Sequence, residues 1–362
     1  MREIWLFDMD GVLIRPKGYH FALKETVRLA GLSIGYGEVD LTNEQIATFE
    51  ALGISSEWHS SALCMVIMIL EKGKSRFQYG QSPSGASLDL NALFEELAAQ
   101  PLRLPALQRG LIAVKNLAHN NNLPVEPAID LVEQSESIEV SPTVNWFQEL
   151  ILGSDIYAKT YQKKPQFETE SYLKLYDEPL LSQSLAKKIL QWAGRPDQGA
   201  AIMTNRPSNG LTGYDGAPDA RMGAALIGLE PLPVIGYGEI SWIADQTGRK
   251  VGSLSKPARE HALAAILAAS GWPLLDSLQF VGKSLSDGRI SRLKYLDGCK
   301  VTVFEDTPGG IVSVQSAVDF LNDLDLRIEI EKFGIAEDPA KITSLADHGA
   351  QVFPGIEKIL AS

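Results

Sequence analysis

The chain opens on a short apolar run, Glu3 to Phe7, that reads as a buried strand and ends at Asp8-Met9-Asp10-Gly11. After Gly11 the period changes. From about Tyr19 to about Ala193, apolar residues recur at spacings of three and four, which predicts helices. Phe21, Leu23, Val27 and Leu29 begin the first. Asn43 to Leu52 is the second, with Thr42 or Asn43 as cap and Gly53 as stop. Ser55-Ser56-Glu57-Trp58-His59 opens a third that runs through Leu70. Lys72 to Ser87 is rich in glycine and serine and reads as a mobile loop. Helical patterns return at Leu88 to Ala99, Pro105 to Ala118, Trp146 to Leu152 and Ser182 to Ala193, with a polar break at His119 to Asn122.

From Gly199 onward the texture alters. Ala200 to Met203, Leu232 to Ile235, Leu278 to Val281, Val301 to Phe304 and Leu326 to Ile330 are short apolar runs that read as strands. Helical segments lie between them, Ala258 to Ala269 and Gly310 to Leu321 being the clearest. Alternation of this kind predicts an α/β fold with a doubly wound parallel sheet. One strand stands at the N-terminus and the others follow about residue 195. The expected division is therefore a sheet core of residues 1–15 and 195–362, and an inserted, mainly helical block of residues 16–194.

Composition narrows the function. The 362 residues carry 45% hydrophobic and 22% charged side chains, ordinary for a globular chain of two domains. A formal net charge of −12 argues against nonspecific nucleic-acid binding. It also means that a phosphate site must be made attractive locally, by a metal ion, a lysine or a helix N-terminus. Cys64 and Cys299 are too few and too far apart for a disulfide framework or a zinc site. The N-terminus lacks a signal-peptide pattern, and the longest apolar stretch, Ala62 to Leu70, is too short to span a bilayer. The expected location is the cytoplasm, with no membrane partner.

Candidate chemistry begins at Asp8 and Asp10. In open parallel sheets ligands bind at the carboxyl ends of strands, which is where Asp8 falls. Carboxylates at i and i+2 leave a strand end on the same side. One can attack phosphorus while the other trades a proton with the leaving oxygen. By background usage an Asp-x-Asp-Gly arises by chance in such a chain on the order of one time in ten, so its placement matters more than its presence. Three further elements fit one site. Thr204 ends the Ala200 to Met203 strand and offers a hydroxyl, although a threonine there also suits a turn. Lys256 precedes Pro257 at a helix start and can neutralise both Asp8 and a phosphate, although surface lysines are common. Glu305-Asp306 follows a strand and suits a hard cation such as magnesium, or an acidic helix N-terminus.

In this order the elements resemble the four motifs of the haloacid dehalogenase superfamily. Asp8-Met9-Asp10-Gly11-Val12 resembles the first, Thr204 in Ile202-Met203-Thr204-Asn205-Arg206-Pro207 the second, Lys256-Pro257 the third, and Phe304-Glu305-Asp306-Thr307-Pro308-Gly309-Gly310 the fourth in its Glu-Asp form. The resemblance covers residues 1 to 15 and about 195 to 362. It implies a Rossmann-like core and a magnesium-dependent phosphohydrolase. Asp8 would form an aspartyl phosphate, Asp10 would be the acid/base, and Thr204 and Lys256 would hold the phosphoryl group. Mg²⁺ would lie on Asp8, the main-chain carbonyl of Asp10, and Asp306, with Glu305 assisting.

One departure stands out. Val281-Gly282-Lys283-Ser284-Leu285-Ser286-Asp287 resembles the commoner Gly-Asp-x-x-x-Asp form of the fourth motif, but Lys283 cannot bind a metal. The metal is therefore placed at Glu305-Asp306, residues 278–299 are taken as an insertion, and Asp287 is the fallback.

The helical block resembles the cap of that superfamily, which closes over the site and reads the leaving group. Tyr19, His20, Glu57, Trp58 and His59 are the cap candidates for substrate contact, although Trp58 also suits cap core and His59 a surface position; Arg206 suits a phosphate or substrate acid and equally a structural pairing with a cap carboxylate. Trp5, Trp192, Trp272, Met65 and Met68 read as core. The expected partner is a small phosphorylated metabolite. A phosphomutase of the same superfamily and a non-catalytic binding scaffold are the competing readings.

Overall fold

The computed structural model describes residues 2–54, 56–74, 86–101, 104–123, 126–209, 211, 216–283 and 291–360. Most of the loop expected at Lys72 to Ser87, and Asp287 with Ser284 to Ser286, lie outside the described residues.

The chain divides into two compact units, Met1–Pro16 with Asp177–Ser362, and Lys17–Tyr176. The first is built on a six-stranded sheet. Its strands are β1 (Glu3–Phe7), β6 (Gln198–Met203), β7 (Val234–Ile235), β8 (Lys300–Glu305), β9 (Glu329–Ile335) and β10 (Gln351–Phe353), in the order β10-β9-β8-β1-β6-β7. Every pairing is parallel. The fold is thus α/β with a parallel sheet, as the alternation of strands and helices predicts.

Alternation along β1 feeds two apolar layers. Ile4 and Leu6 point to one face with Ala201, Met203, Val301 and Val303. That face packs helix Arg259–Ala269, of which all but the first two residues are buried. Phe7 points to the other face with Ala200, Ile202 and Phe304, and Trp5 packs against the same layer. There Trp5 stacks on Trp192 with ring centroids 3.7 Å apart. A strand buried on both faces needs a continuous apolar run, and β1 supplies one.

Four expectations need correction. Residues 177–194, expected with the inserted block, belong to the sheet unit, because helix Gln183–Ala193 places Leu185, Ala186 and Ile189 in the apolar layer that holds Phe7. The run Leu278 to Val281 is not a strand but part of helix Leu274–Gly282. A short apolar run does not separate the two, and packing of this segment on helices Tyr237–Thr247 and Arg259–Ala269 decides it. The strand expected at Leu326 to Ile330 lies further on, at β9, where Glu331 and Lys332 hide the apolar signal. Finally, Pro257 is not the first helical residue. The Lys256-Pro257 peptide is cis and the helix begins at Arg259.

Two short ribbons complete the strands: β2 (Ile14–Arg15) pairs antiparallel with β5 (Glu178–Pro179) in the sheet unit, and β3 (Val39–Asp40) pairs parallel with β4 (Ala86–Ser87) in the other. The second unit is otherwise helical. Helix Lys17–Ser33 packs on helices Glu57–Lys74, Pro142–Leu152 and Tyr172–Tyr176. Helix Asn43–Ala51 starts on the expected cap. The Thr42 hydroxyl accepts from the Gln45 N–H at 3.2 Å, and the Gln45 side chain accepts from the Thr42 N–H at 2.9 Å. Met65 and Met68 are buried as expected of core. Among the described residues no helix is long and apolar enough to cross a membrane.

Candidate active site

Sheet register brings the chemistry together. Phe7 is paired with Ile202 on one side and Phe304 on the other, so the chain ends β1, β6 and β8 at one level. Asp8 follows β1, Thr204 follows β6, and Glu305-Asp306 closes β8. The Asp8 N–H donates to the Phe304 carbonyl at 2.9 Å, and the Thr204 N–H to the Ile235 carbonyl at 3.0 Å. These are the carboxyl ends at which parallel sheets bind ligands.

Asp8, Glu305 and Asp306 form one acidic group, each offering an oxygen within 4.8 Å of the others, and this group could hold a metal ion. Two glycines make room for it. Gly11 has φ +75°, and a Cβ there would lie 2.4 Å from Asp306 Oδ2. A Cβ on Gly310 would lie 1.6 Å from Glu305 Oε1. Neither position accepts a side chain without moving a carboxylate.

Lys256 is not a surface lysine. Its side chain is 6% exposed, and its ammonium donates to Asp8 Oδ1 at 2.7 Å and to Glu305 Oε1 at 2.5 Å. Burial alone would lower the Lys256 value. The charges of Asp8 and Glu305 outweigh it and hold the ammonium above its ordinary range. Burial raises Asp8 well above the usual carboxylate value, and the charge of Glu305 adds to it, against the pull of Lys256. Burial raises Glu305 too, again opposed by Lys256. Asp8 and Glu305 therefore share one buried ammonium, with Asp306 beside them, and the group is short of positive charge. A divalent cation suits that deficit, so the residues present fit the ion expected from the sequence.

Lys341 supplies a second cation from the rim. Its ammonium, on a side chain 54% exposed, meets Asp306 Oδ2 at 2.7 Å. Beside this pair lies a cavity of about 550 Å³ lined by Gly11, Val12, Arg15, Asp306 and Lys341 among others.

Asp10 stands outside the three-acid group. Its carboxylate is one-third exposed and accepts from the Arg206 guanidinium at 2.6 to 3.1 Å. Arg206, expected either at a substrate acid or paired with a carboxylate of the inserted block, is buried between Asp10 and Asp177. Thr204 is buried, and its hydroxyl oxygen accepts from the Arg206 N–H at 3.1 Å, which leaves the hydroxyl proton to donate elsewhere.

The remaining candidates lie in the helical unit. Tyr19 stacks on Phe147 with centroids 6.2 Å apart, and His20 Nε2 lies 3.3 Å from Glu50 Oε1. Glu57 opens helix Glu57–Lys74, and the half-buried Trp58 follows it. His59 is buried, with Nε2 3.1 Å from Glu136 Oε1.

Three supporting residues escaped the sequence reading. Lys341 lies 35 residues beyond Asp306, with nothing in the pattern to join them. Asp177 was not singled out among the carboxylates assigned to the inserted block. His261 is a lone histidine on an apolar helix, a pattern that alone means only core. Its Nε2 lies 3.0 Å from the Ile235 carbonyl, the acceptor that also takes the Thr204 N–H, and its Nδ1 lies 3.3 Å from the Lys256 N–H. A carbonyl can only accept and an N–H only donate, so the ring is neutral with its proton on Nε2. Burial, then the Lys256 charge, pushes His261 down to about 3.

The chain is similar to a crystal structure solved by the Northeast Structural Genomics Consortium as target ZR25, with a TM-score of 0.65, 15% identity, and 100% of this chain and 98% of that one covered. At that identity the likeness is one of fold. It is also similar to the structure titled phosphatase Tt82 from Thermococcus thioreducens, with a TM-score of 0.46, 11% identity, and 96% of this chain and 98% of that one covered. No protein-family model and no curated protein sequence matches the chain.

Two predictions follow the charges. The His261 ring takes up a proton near pH 6.5 when unfolded but stays neutral when folded, so acidification below that value favours the unfolded chain. The unfolding free energy should fall by about 2 kcal/mol more between pH 7 and pH 5 in the unaltered protein than in His261→Gln. Equal slopes in denaturant titrations would refute the neutral ring. Lys341 competes with any metal for Asp306, and an exposed pair is worth up to about 1 kcal/mol, or roughly fivefold in affinity. Calorimetric titration with Mg²⁺ should therefore give tighter binding to Lys341→Met, and unchanged or weaker binding would refute the competition.

Proposed function

We propose that this protein is a Mg²⁺-dependent phosphohydrolase that acts on a small phosphorylated metabolite, with Asp8 as nucleophile. The observation that carries the reading is the buried contact of Lys256 with both Asp8 and Glu305, beside Asp306. A strand-end carboxylate fixed against an ammonium, next to a group of acids able to hold a cation, is the equipment that phosphoryl transfer requires. The order of these residues also resembles that of the haloacid dehalogenase superfamily.

In this reading the Asp8 oxygen not bonded to Lys256 attacks phosphorus, and the bond to the leaving oxygen breaks. Asp10, protonated at the outset of the cycle, gives that oxygen its proton, and the alcohol departs. The Asp10 carboxylate then takes a proton from water, whose oxygen attacks phosphorus; the Asp8 oxygen–phosphorus bond breaks, phosphate leaves, Asp8 returns as carboxylate and Asp10 is protonated again. The Thr204 hydroxyl donates to a phosphoryl oxygen, and the Lys256 ammonium neutralises another. Asp8, Asp306 and the main-chain carbonyl of Asp10 would hold Mg²⁺, with Glu305 assisting. Bound there, the ion would supply positive charge to the phosphoryl oxygens. The helical unit serves as the cap, with Tyr19, His20, Glu57 and Trp58 as its candidates for reading the leaving group.

Phosphate release from a broad panel of phosphomonoesters in Mg²⁺ tests the reading. Asp8→Asn should abolish turnover with the fold intact. Asp10→Asn should slow it by roughly 10²–10⁴-fold, the usual contribution of a general acid/base. Near-normal turnover in Asp8→Asn would overturn the mechanism.

A further inference from the structure

Arg206 offers a fork of donors to two acids of its own chain. Its Nε donates to Asp10 Oδ1 at 2.8 Å and to Oδ2 at 3.1 Å. Its Nη2 donates to Asp10 Oδ1 at 2.6 Å and to Asp177 Oδ2 at 2.9 Å. The side chains of Arg206 and Asp177 are 2% and 0% exposed, against 34% for Asp10. The main chain is held as firmly. The Arg206 N–H donates to the Thr204 hydroxyl, and the Arg206 carbonyl accepts from the Tyr237 N–H at 2.9 Å. A planar guanidinium braced at its tip by a buried acid, and at its root by the backbone, has one direction left to point. It points at the Asp10 carboxylate.

The placement of Asp177 adds a second observation. The chain leaves the sheet unit after Pro16 and re-enters it at Asp177. β5 follows at once and pairs with β2, Ile14 against Pro179 and Arg15 against Glu178. Asp10 itself forms a bridge to Ile14. Asp10 is thus bridged to one strand of the ribbon, Asp177 directly precedes the other, and Arg206 joins them. Burying an arginine and an aspartate seldom adds stability over an apolar pair of similar size, whereas it does impose one geometry. An aspartate one-third exposed and bound to nothing would sample several rotamers, and proton transfer at a reacting oxygen tolerates little of that.

We propose that Arg206, braced by Asp177, is a positioning residue that holds the Asp10 carboxylate in the orientation from which it exchanges its proton. The inference rests on the phosphoryl-transfer reading and deepens it. Arg206 acts through Asp10 and leaves contact with the phosphoryl group to Thr204 and Lys256.

A double-mutant cycle on kcat separates this role from a merely structural one. Arg206→Gln should lower kcat on the order of 10²-fold and leave KM within about twofold. In an Asp10→Asn background the same change should lower kcat less than about twofold, because the group it serves is already gone. The pair Arg206→Gln with Asp177→Asn removes both buried charges, leaves the net charge of the three-residue group unchanged and should show the same loss as Arg206→Gln alone. Losses that multiply in the Asp10→Asn background would overturn the proposal, as would a rise in KM with kcat unchanged. If the unaltered protein turns over no phosphate ester, the phosphohydrolase reading fails by itself, and the clamp is then read from urea unfolding. Arg206→Gln should shift the midpoint less in Asp10→Asn than in the unaltered chain, and equal shifts would overturn it.

Discussion

The Lys256 ammonium, buried between Asp8 and Glu305, is the contact on which the rest of the site depends. Neither acid could remain ionised at that depth without a cation beside it, and the lysine could not remain charged without them. Removing one partner of such a pair typically costs about 3–5 kcal/mol, because the charge left behind has no water to turn to. The arrangement still carries more negative than positive charge, with Asp306 alongside. That imbalance makes the place attractive to a cation and a phosphate in a chain whose overall charge is negative.

Several parts of the fold exist to keep this contact where it is. Parallel pairing at a common level sets Asp8 beside Glu305. Gly11 and Gly310 let the backbone pass the carboxylates of Asp306 and Glu305 closely. His261 ties the backbone of Lys256 to the end of β7, and the same Ile235 carbonyl takes the Thr204 N–H. Arg206 runs from Thr204 to Asp10 and on to Asp177. The hydroxyl, the ammonium and the second acid are therefore placed by one connected set of hydrogen bonds, not by separate loops.

What could be read from the amino-acid order was whatever depends on local pattern. The apolar run Glu3 to Phe7 is a strand at those residues, and Asp8, Thr204 and Glu305-Asp306 stand at strand ends as expected. The meeting of Lys256 with Asp8 was expected from the order of the motifs, but its contact with Glu305 was not legible, since nothing near it in the chain announces that acid. The same holds for Arg206. Its partners are 196 and 29 residues away, and only the folded chain gives them to it rather than to a substrate. Leu278 to Val281 misled because a short apolar run suits a strand or a buried helix equally. The boundary at Asp177 was misplaced because helix Gln183–Ala193 has the same period as the helices before it, and only its packing partners tell them apart.

The nucleophilic role of Asp8 is open to direct capture. Borohydride added during turnover of a phosphate ester reduces an acyl phosphate and marks the residue that carried it, and peptide mass spectrometry then locates the mark. The expected result is reduction at Asp8 in Mg²⁺ with substrate present, and none in Asp8→Asn. Turnover that leaves Asp8 unmarked while another residue is reduced would contradict the assignment.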